Sequence, residues 1–384
     1  MNIHNFAFQT VSDIRFSVDG LTTLPSLLKE KFEGNRVLIV TDQGLCRTGI
    51  VAKLLIALES VDFKVDVFDQ VVADPSEAII EAVAKEARNV DLVIGIGGGS
   101  SMDAAKLGAV LAMDEQPLHQ MFGVNNVTSS RKPLILIPTT AGTGSEVTPI
   151  SIVTTGESTK AGVVSPRLYA DMALLDPVLL VGLPAHITAE TGIDAMVHAI
   201  EAYTSKIKKN PLSDNLATQA LALLGEHLPK AFADGNNIEH RGGTMLGATL
   251  AGQAFANAPV GAVHALAYPL GGIYHLPHGL TNALMLPHVL RFNLDSAFSL
   301  YAQLADVLVP SCSGSDEAKA NIFVDYICEL RSLLGLNKSL REVGVEEVML
   351  PMLAEQAMLQ TRLLQNNPKP LSLLDALNIY QQAW

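Results

Sequence analysis

The sequence predicts an α/β domain built on a mostly parallel sheet, followed by a domain made only of helices. Three observations carry this expectation. Short β-branched runs alternate with helix-patterned stretches as far as Leu183-Pro184, and beyond that point only helical spacing remains. Two glycine-rich segments each follow a buried strand directly. Finally, the chain carries no Asp, Glu, Lys or Arg between Arg241 and Arg291, yet that stretch holds His264, His275, His278 and His288.

The elements follow in order. Arg36–Thr41 reads as a buried strand and 44–60 as a helix; 63–68 alternates like a strand, and 76–88 is again helical. Residues 90–96 and 134–137 read as further strands, and the β-α-β-α-β rhythm argues for a parallel sheet covered by helices. Further short strands are expected at 147–155, 160–164 and 173–176. Helical spacing marks 189–204, 213–226, 240–256, 295–309, 315–333 and 346–362. The boundary therefore falls near residue 184, with 1–184 as the α/β domain and 185–384 as the helical one.

Composition narrows the function. With 384 residues the chain is long enough for two or three domains, and 48% hydrophobic against 17% charged residues imply a large packed core. A net charge of −13 with no dense basic run is the wrong electrostatic footprint for nucleic acid or an anionic membrane. The uncharged stretch is broken by Pro259, Pro269, Gly271-Gly272 and Pro277, so no transmembrane helix is expected. The N-terminus lacks the pattern of a secretory signal, and three widely spaced cysteines imply no disulfide framework; a reducing cytoplasm is the expected compartment.

The glycine loops suggest a nucleotide. Strand 90–96 runs into Gly97-Gly98-Gly99-Ser100, and Ser101-Met102-Asp103 begins a helix whose free amides attract phosphate. A second loop, Thr139-Thr140-Ala141-Gly142-Thr143-Gly144-Ser145-Glu146, also follows a strand. Two such loops in one sheet imply an extended phosphate or dinucleotide site, although the full G-x-G-x-x-G pattern is absent. Asp42, ending the first long strand, is placed to bond a ribose 2′-hydroxyl and to repel a 2′-phosphate; equally, it is a natural helix cap.

A second chemistry is written into the helical half. Asp194 and His198 are four residues apart on one helix and so share a face. His264 and His278 would complete a mixed nitrogen and oxygen donor set suited to Fe(II) or Zn(II), with positions left for substrate. On spacing alone His275 and His288 serve equally well.

With these segments in order, the chain resembles the iron-containing (group III) alcohol dehydrogenases from about residue 10 to the C-terminus. The resemblance rests on Gly97-Gly98-Gly99-Ser100 with Asp103 and Lys106, on Pro138–Glu146, on Asp194–Glu201, and on Val263–Gly271 followed by Pro277-His278-Gly279. It implies a dinucleotide-binding N-terminal domain and a helical metal-binding domain. The implied metal ligands are Asp194, His198, His264 and His278, with Fe2+ as the expected ion and Zn2+ or another divalent metal as alternatives. The implied NAD site comprises Asp42, the two glycine loops with Gly97, Gly98, Gly99, Ser100, Asp103, Thr139, Thr140, Thr143 and Ser145, and Lys160. A homodimer or higher homo-oligomer is also implied.

Two positions depart from the family pattern. Tyr268 stands four residues after the third ligand, where many members have histidine, and is the candidate for proton transfer. Asp74-Pro75 stands where alcohol-reducing members often have Asn-Pro. The expected activity is reversible hydride transfer between NAD(H) and a small primary alcohol or diol and its aldehyde. A hydroxy-acid dehydrogenase or transhydrogenase on the same fold is the nearest alternative, and a non-catalytic nucleotide- or metal-binding protein is the alternative of another class.

Overall fold

Buried apolar runs form the centre of the first of two units. The computed structural model describes residues 5–156 and 159–384. They divide into Gln9–Val181 and a second unit that runs from Gly182 to Trp384 and includes the residues up to Phe8.

The first unit contains β1 (Ile14–Phe16), β2 (Arg36–Val40), β3 (Lys64–Phe68), β4 (Leu92–Gly97), β5 (Gly123–Val124), β6 (Leu134–Pro138), β7 (Ile150–Thr155), β8 (Thr159–Val164) and β9 (Met172–Leu175). Six of them make a sheet in the order β1-β9-β6-β4-β2-β3, with every pairing parallel. The central strands β4 and β6 are buried at every residue, which explains why they carry Val, Ile, Leu, Gly and Pro and no polar side chain. A smaller sheet, β5-β8-β7, lies outside this order. The helices are α1 (Leu24–Lys31), α2 (Gln43–Arg47), α3 (Ile50–Glu59), α4 (Glu77–Ala87) and α5 (Gly99–Leu111). The helix expected over 44–60 is two: Gly49, at φ +83°, turns the chain between α2 and α3. The strand expected from 147 starts at Ile150, because Ser145–Val147 forms a 3-10 turn. β1 and β5 are too short to give a periodic signal, and the sequence reading passes over them.

The second unit is helical throughout. It contains α6 (Ala185–Thr204), α7 (Pro211–Ala233), α8 (Ile238–Asn257), α9 (Ala262–Tyr274), α10 (His278–Leu308), α11 (Asp316–Leu333), α12 (Leu350–Met358), α13 (Thr361–Leu364) and α14 (Leu373–Ala383). Helix α6 packs on α7, α8 and α10, and its residues from Gly192 to Thr204 are buried without exception. A helix with no polar face belongs in the middle of its domain. Arg241, only 1% exposed, fixes the start of α6: its guanidinium donates to Leu183 O, Gly235 O and Thr188 Oγ1.

The helix expected at 295–309 begins far earlier, at His278, and keeps Pro287 inside it. Pro277 in the capping position and Pro287 hid this 31-residue helix from a reading that treats proline as a boundary. Likewise 346–362 is broken into a 3-10 turn, α12 and α13, and α14 was not expected. No helix among the described residues is long and apolar enough to cross a membrane.

Candidate metal centre and cofactor loops

Three helices of the second unit bring four side chains together. Asp194 and His198 come from α6, His264 from the first turn of α9, and His278 from the first residue of α10. One donor atom from each lies within 4.8 Å of all the others. Asp194 Oδ1 sits at the hub, 3.5 Å from His278 Nε2, 3.8 Å from His264 Nε2 and 3.9 Å from His198 Nε2. Donors each about 2.0–2.2 Å from a single ion are spaced in this way. His275 and His288 lie outside the group: His275 is exposed at the end of α9, and His288 is half-buried along α10. Burial, aided by the positive charges of Arg331 and Arg291, pushes the His288 imidazole down to about 4. The uncharged stretch therefore buries His264 fully, His278 and His288 partly, and His275 not at all.

The surroundings hold these donors still. The His198 ring stacks between Phe255, at 4.2 Å between centroids, and His264, at 4.7 Å. Glycine is required at position 279, because a Cβ there would come within 2.3 Å of Glu190 O on α6; this contact seats the first turn of α10 against α6. Burial by itself would raise the Asp194 carboxyl, but the three imidazoles and the Asn282 amide outweigh it and hold the group below the usual carboxylate range.

Two polar residues at the centre escaped the sequence reading. Asn282 Nδ2 donates to Asp194 Oδ1 at 2.6 Å and lies 3.2 Å from His264 Nε2. Glu201 Oε2 lies 2.6 Å from His264 Nδ1. Both were legible in principle, since Asn282 follows His278, and Glu201 follows Asp194, at helical spacing on the same face. Tyr268, one turn after His264, is half-buried beside the group, its ring 6.4 Å from His264 and 5.9 Å from His278.

In the first unit, Asp42 and the two glycine loops lie at the carboxyl ends of β2, β4 and β6, and Lys160 lies on β8 of the smaller sheet. Gly97 pairs with Pro138 in neighbouring strands, so the two loops emerge side by side. Gly97 has φ +149°, and a Cβ there would meet Ser101 Oγ at 2.7 Å, so the turn into α5 requires glycine. Gly98 caps α5 with no side chain satisfying the first amides, which leaves donors for an anion among the part-exposed Gly98, Gly99 and Ser100. Thr140 and Thr143 stand next to Gly98 and Gly99, and Thr139 N donates to Gly97 O. Asp42 Oδ1 accepts from Leu45 N and caps α2, while Oδ2 points toward Gly97; the cap and the ribose roles are compatible.

Asp103, in α5, and Ser145, in the second loop, are bonded to each other. Ser145 Oγ donates to Asp103 Oδ1 at 2.5 Å, Ile152 N donates to Asp103 Oδ2 at 2.9 Å, and Lys106 Nζ donates to Ser145 Oγ at 2.7 Å. This network fastens the second loop to α5. Lys160 Nζ bonds Asp74 Oδ1 at 2.7 Å, and Asp74 N donates to Ser100 Oγ at 3.3 Å, which ties the smaller sheet to the first loop.

The comparisons with known proteins agree with this division of labour. A family description reading "iron-containing alcohol dehydrogenase" matches residues 12–177, and one for the C-terminal part of the Fe-containing alcohol dehydrogenase family matches 188–384. A long-chain-alcohol dehydrogenase of Geobacillus thermodenitrificans is 38% identical over all of this chain and 98% of its own length. The crystal structure of a 1,3-propanediol oxidoreductase superposes with a TM-score of 0.95 at 34% identity, covering 99% of this chain and 100% of that one. A sulfoacetaldehyde reductase from Bifidobacterium kashiwanohense, solved in complex with NAD+, superposes with a TM-score of 0.87 at 27% identity over 99% of both chains. The Asp/His3 donor set fits Fe2+, and the uncapped α5 beside the threonine loop fits NAD; these are the cofactors that family and geometry together support. Both halves of the chain answer to one description, and the protein belongs to the iron-containing alcohol dehydrogenase family.

Proposed function

We propose that this alcohol oxidoreductase is NAD-dependent and interconverts a small, uncharged primary alcohol or diol with its aldehyde. The observation that carries the reading is the Asp194, His198, His264 and His278 group, set in α6, α9 and the part of α10 before Arg291, none of which has a Lys or Arg to receive an acidic substrate. No Lys or Arg occurs between Arg167 and Lys206 or between Arg241 and Arg291. Arg241 itself is buried and its donors are taken up by Leu183, Gly235 and Thr188.

When bound, Fe2+ supplies Lewis-acid polarisation of the substrate oxygen, and NAD supplies the hydride acceptor. The chain's own part is to orient and to exclude water. Asp194 brings one negative charge into a buried site, and His198 is clamped by ring stacking. The amides of Gly98, Gly99 and Ser100 would hold the pyrophosphate of NAD, and Asp42 would favour a free ribose 2′-hydroxyl over a 2′-phosphate. Lys160 keeps its place near the cofactor through Asp74. Tyr268, whose ring lies against both His264 and His278, is the group assigned to carry the alcohol proton away.

A panel of short alcohols, diols and hydroxy acids, assayed with Fe2+- or Zn2+-loaded protein and with NAD or NADP, tests the proposal. Turnover of uncharged alcohols with NAD is the expected result. Preference for hydroxy acids would move the assignment to the alternative substrate class, and absence of NAD reduction with every compound would remove the enzymatic reading. For Tyr268→Phe, kcat is expected to fall by about 10²-fold while metal content stays unchanged. An unaltered kcat would make Tyr268 a wall of the pocket and nothing more.

A further inference from the structure

We propose that Glu201 is the positioning residue of the metal centre: one carboxylate that selects the ligating tautomer of His264 and at the same time caps the helix that carries it. The inference rests on the quartet being the metal site and assigns a residue that the quartet does not include.

Helix α6 displays Asp194, His198 and Glu201 at spacings of four and three residues, so all three lie along one face. The first two reach the donor cluster directly. Glu201, 6% exposed, reaches the far side of His264. Its Oε2 lies 2.6 Å from His264 Nδ1. An ionised carboxylate only accepts, so Nδ1 must carry the imidazole hydrogen and donate it. The lone pair is then on Nε2, the atom that faces Asp194. A histidine held this way is a better ligand, because its ring cannot rotate and its ligating nitrogen cannot be protonated by tautomerism.

The second oxygen does different work. Val263 N donates to Glu201 Oε1 at 2.7 Å. Val263 is in the first turn of α9, and the residue in the capping position, Gly261, offers no side-chain cap. Glu201 therefore supplies the missing acceptor from a neighbouring helix, and its charge faces the positive end of the α9 dipole. Glycine at 261 leaves the carboxylate uncrowded: a Cβ there would lie 3.3 Å from Glu201 Oε1. On its other side Glu201 borders a small, mostly apolar cavity to which Thr204, Asn293 and Asn367 also contribute, so there is room for an amide of equal size.

That room makes Glu201→Gln a discriminating test. If the amide oxygen keeps the Val263 hydrogen bond, the NH2 group faces His264 Nδ1, which must then accept. The imidazole hydrogen moves to Nε2 and blocks the ligand atom. If the amide turns over, its NH2 group meets the Val263 N–H and the cap is lost. The expected result is apoprotein of nearly unchanged thermal stability whose Zn2+ dissociation constant, from competition with a chromophoric chelator, rises 10- to 100-fold. Histidine 15N NMR of the apoproteins gives a readout independent of metal and of activity: Nδ1–H at His264 in the native chain, Nε2–H in the variant. Native affinity in Glu201→Gln, or an Nε2–H tautomer in the native apoprotein, overturns the proposal. Failure of the native protein itself to bind Zn2+ would instead overturn the metal site. Should the variant not fold, the native tautomer still decides.

Discussion

Replacing His264 by alanine is expected to abolish metal retention and to lower kcat/KM by about 10³-fold or more. The magnitude follows from the several kcal/mol that a Lewis acid contributes to a developing alkoxide, at 1.36 kcal/mol per tenfold in rate. The substitution removes more than one donor's worth of structure. His264 Nε2 lies 3.8 Å from Asp194 Oδ1, its ring stacks on His198 at 4.7 Å, and its Nδ1 bonds Glu201. Alanine leaves Glu201 with a buried oxygen lacking its donor and His198 without one of its two stacking partners. Elemental analysis of purified protein checks the expectation, with circular dichroism to show that the helices persist. Full metal occupancy in the variant would mean that the ligand set is wrong. His198→Ala provides a second route to the same answer, since it removes a donor while leaving the Glu201 pair in place.

The second large effect is on stability, in the other unit. Lys106 is completely buried in α5, and its ammonium donates to Ser145 Oγ and Ile150 O at 2.7 Å each, with Asp103 Oδ1 3.6 Å away. Burial pushes the Asp103 carboxyl up and the Lys106 ammonium down, and each is opposed by the other's charge. Lys106→Met retains the hydrocarbon but strands a buried carboxylate, so unfolding free energy is expected to drop by about 3–5 kcal/mol. For a unit of this size that corresponds to roughly 10 °C in Tm. Denaturant unfolding checks the drop, and Lys106→Met combined with Asp103→Asn is expected to recover part of it. Independent, additive losses would show that the two groups do not support one another. Since the same network fastens the second glycine loop to α5, the single variant should also raise KM for NAD.

Particular residues show where the sequence was legible. The buried strands β2, β4 and β6 announced themselves through unbroken apolar runs, and both glycine loops through their position directly after strands. Asp194 and His198 were a pair on sight, because a helix converts a spacing of four into a shared face. Helix α10 was read only in its second half, since Pro277 and Pro287 look like breaks, yet the first is a cap and the second is held inside the helix. Asp103 and Ser145 were grouped with the cofactor residues; the structure adds that Ser145 bonds both Asp103 and Lys106, a network that no spacing along the chain announces.

The sequence by itself determined the alternation of strands and helices up to residue 184 and the helical half beyond it, the two loops, the i, i+4 Asp194/His198 pair and, through four ordered segments, the family. Those are consequences of local geometry, which spacing encodes. Spacing left His264, His275, His278 and His288 open and the family resemblance named His264 and His278; only the tertiary structure brought those two to Asp194, placed Glu201 behind His264, and set Asn282 against the same carboxylate. The reason is physical: α6, α9 and α10 approach one another through packing, and spacing along each helix says nothing of where another helix will lie. The contact of Gly279 with Glu190 O is made only when the chain has folded, and it is this contact that seats His278.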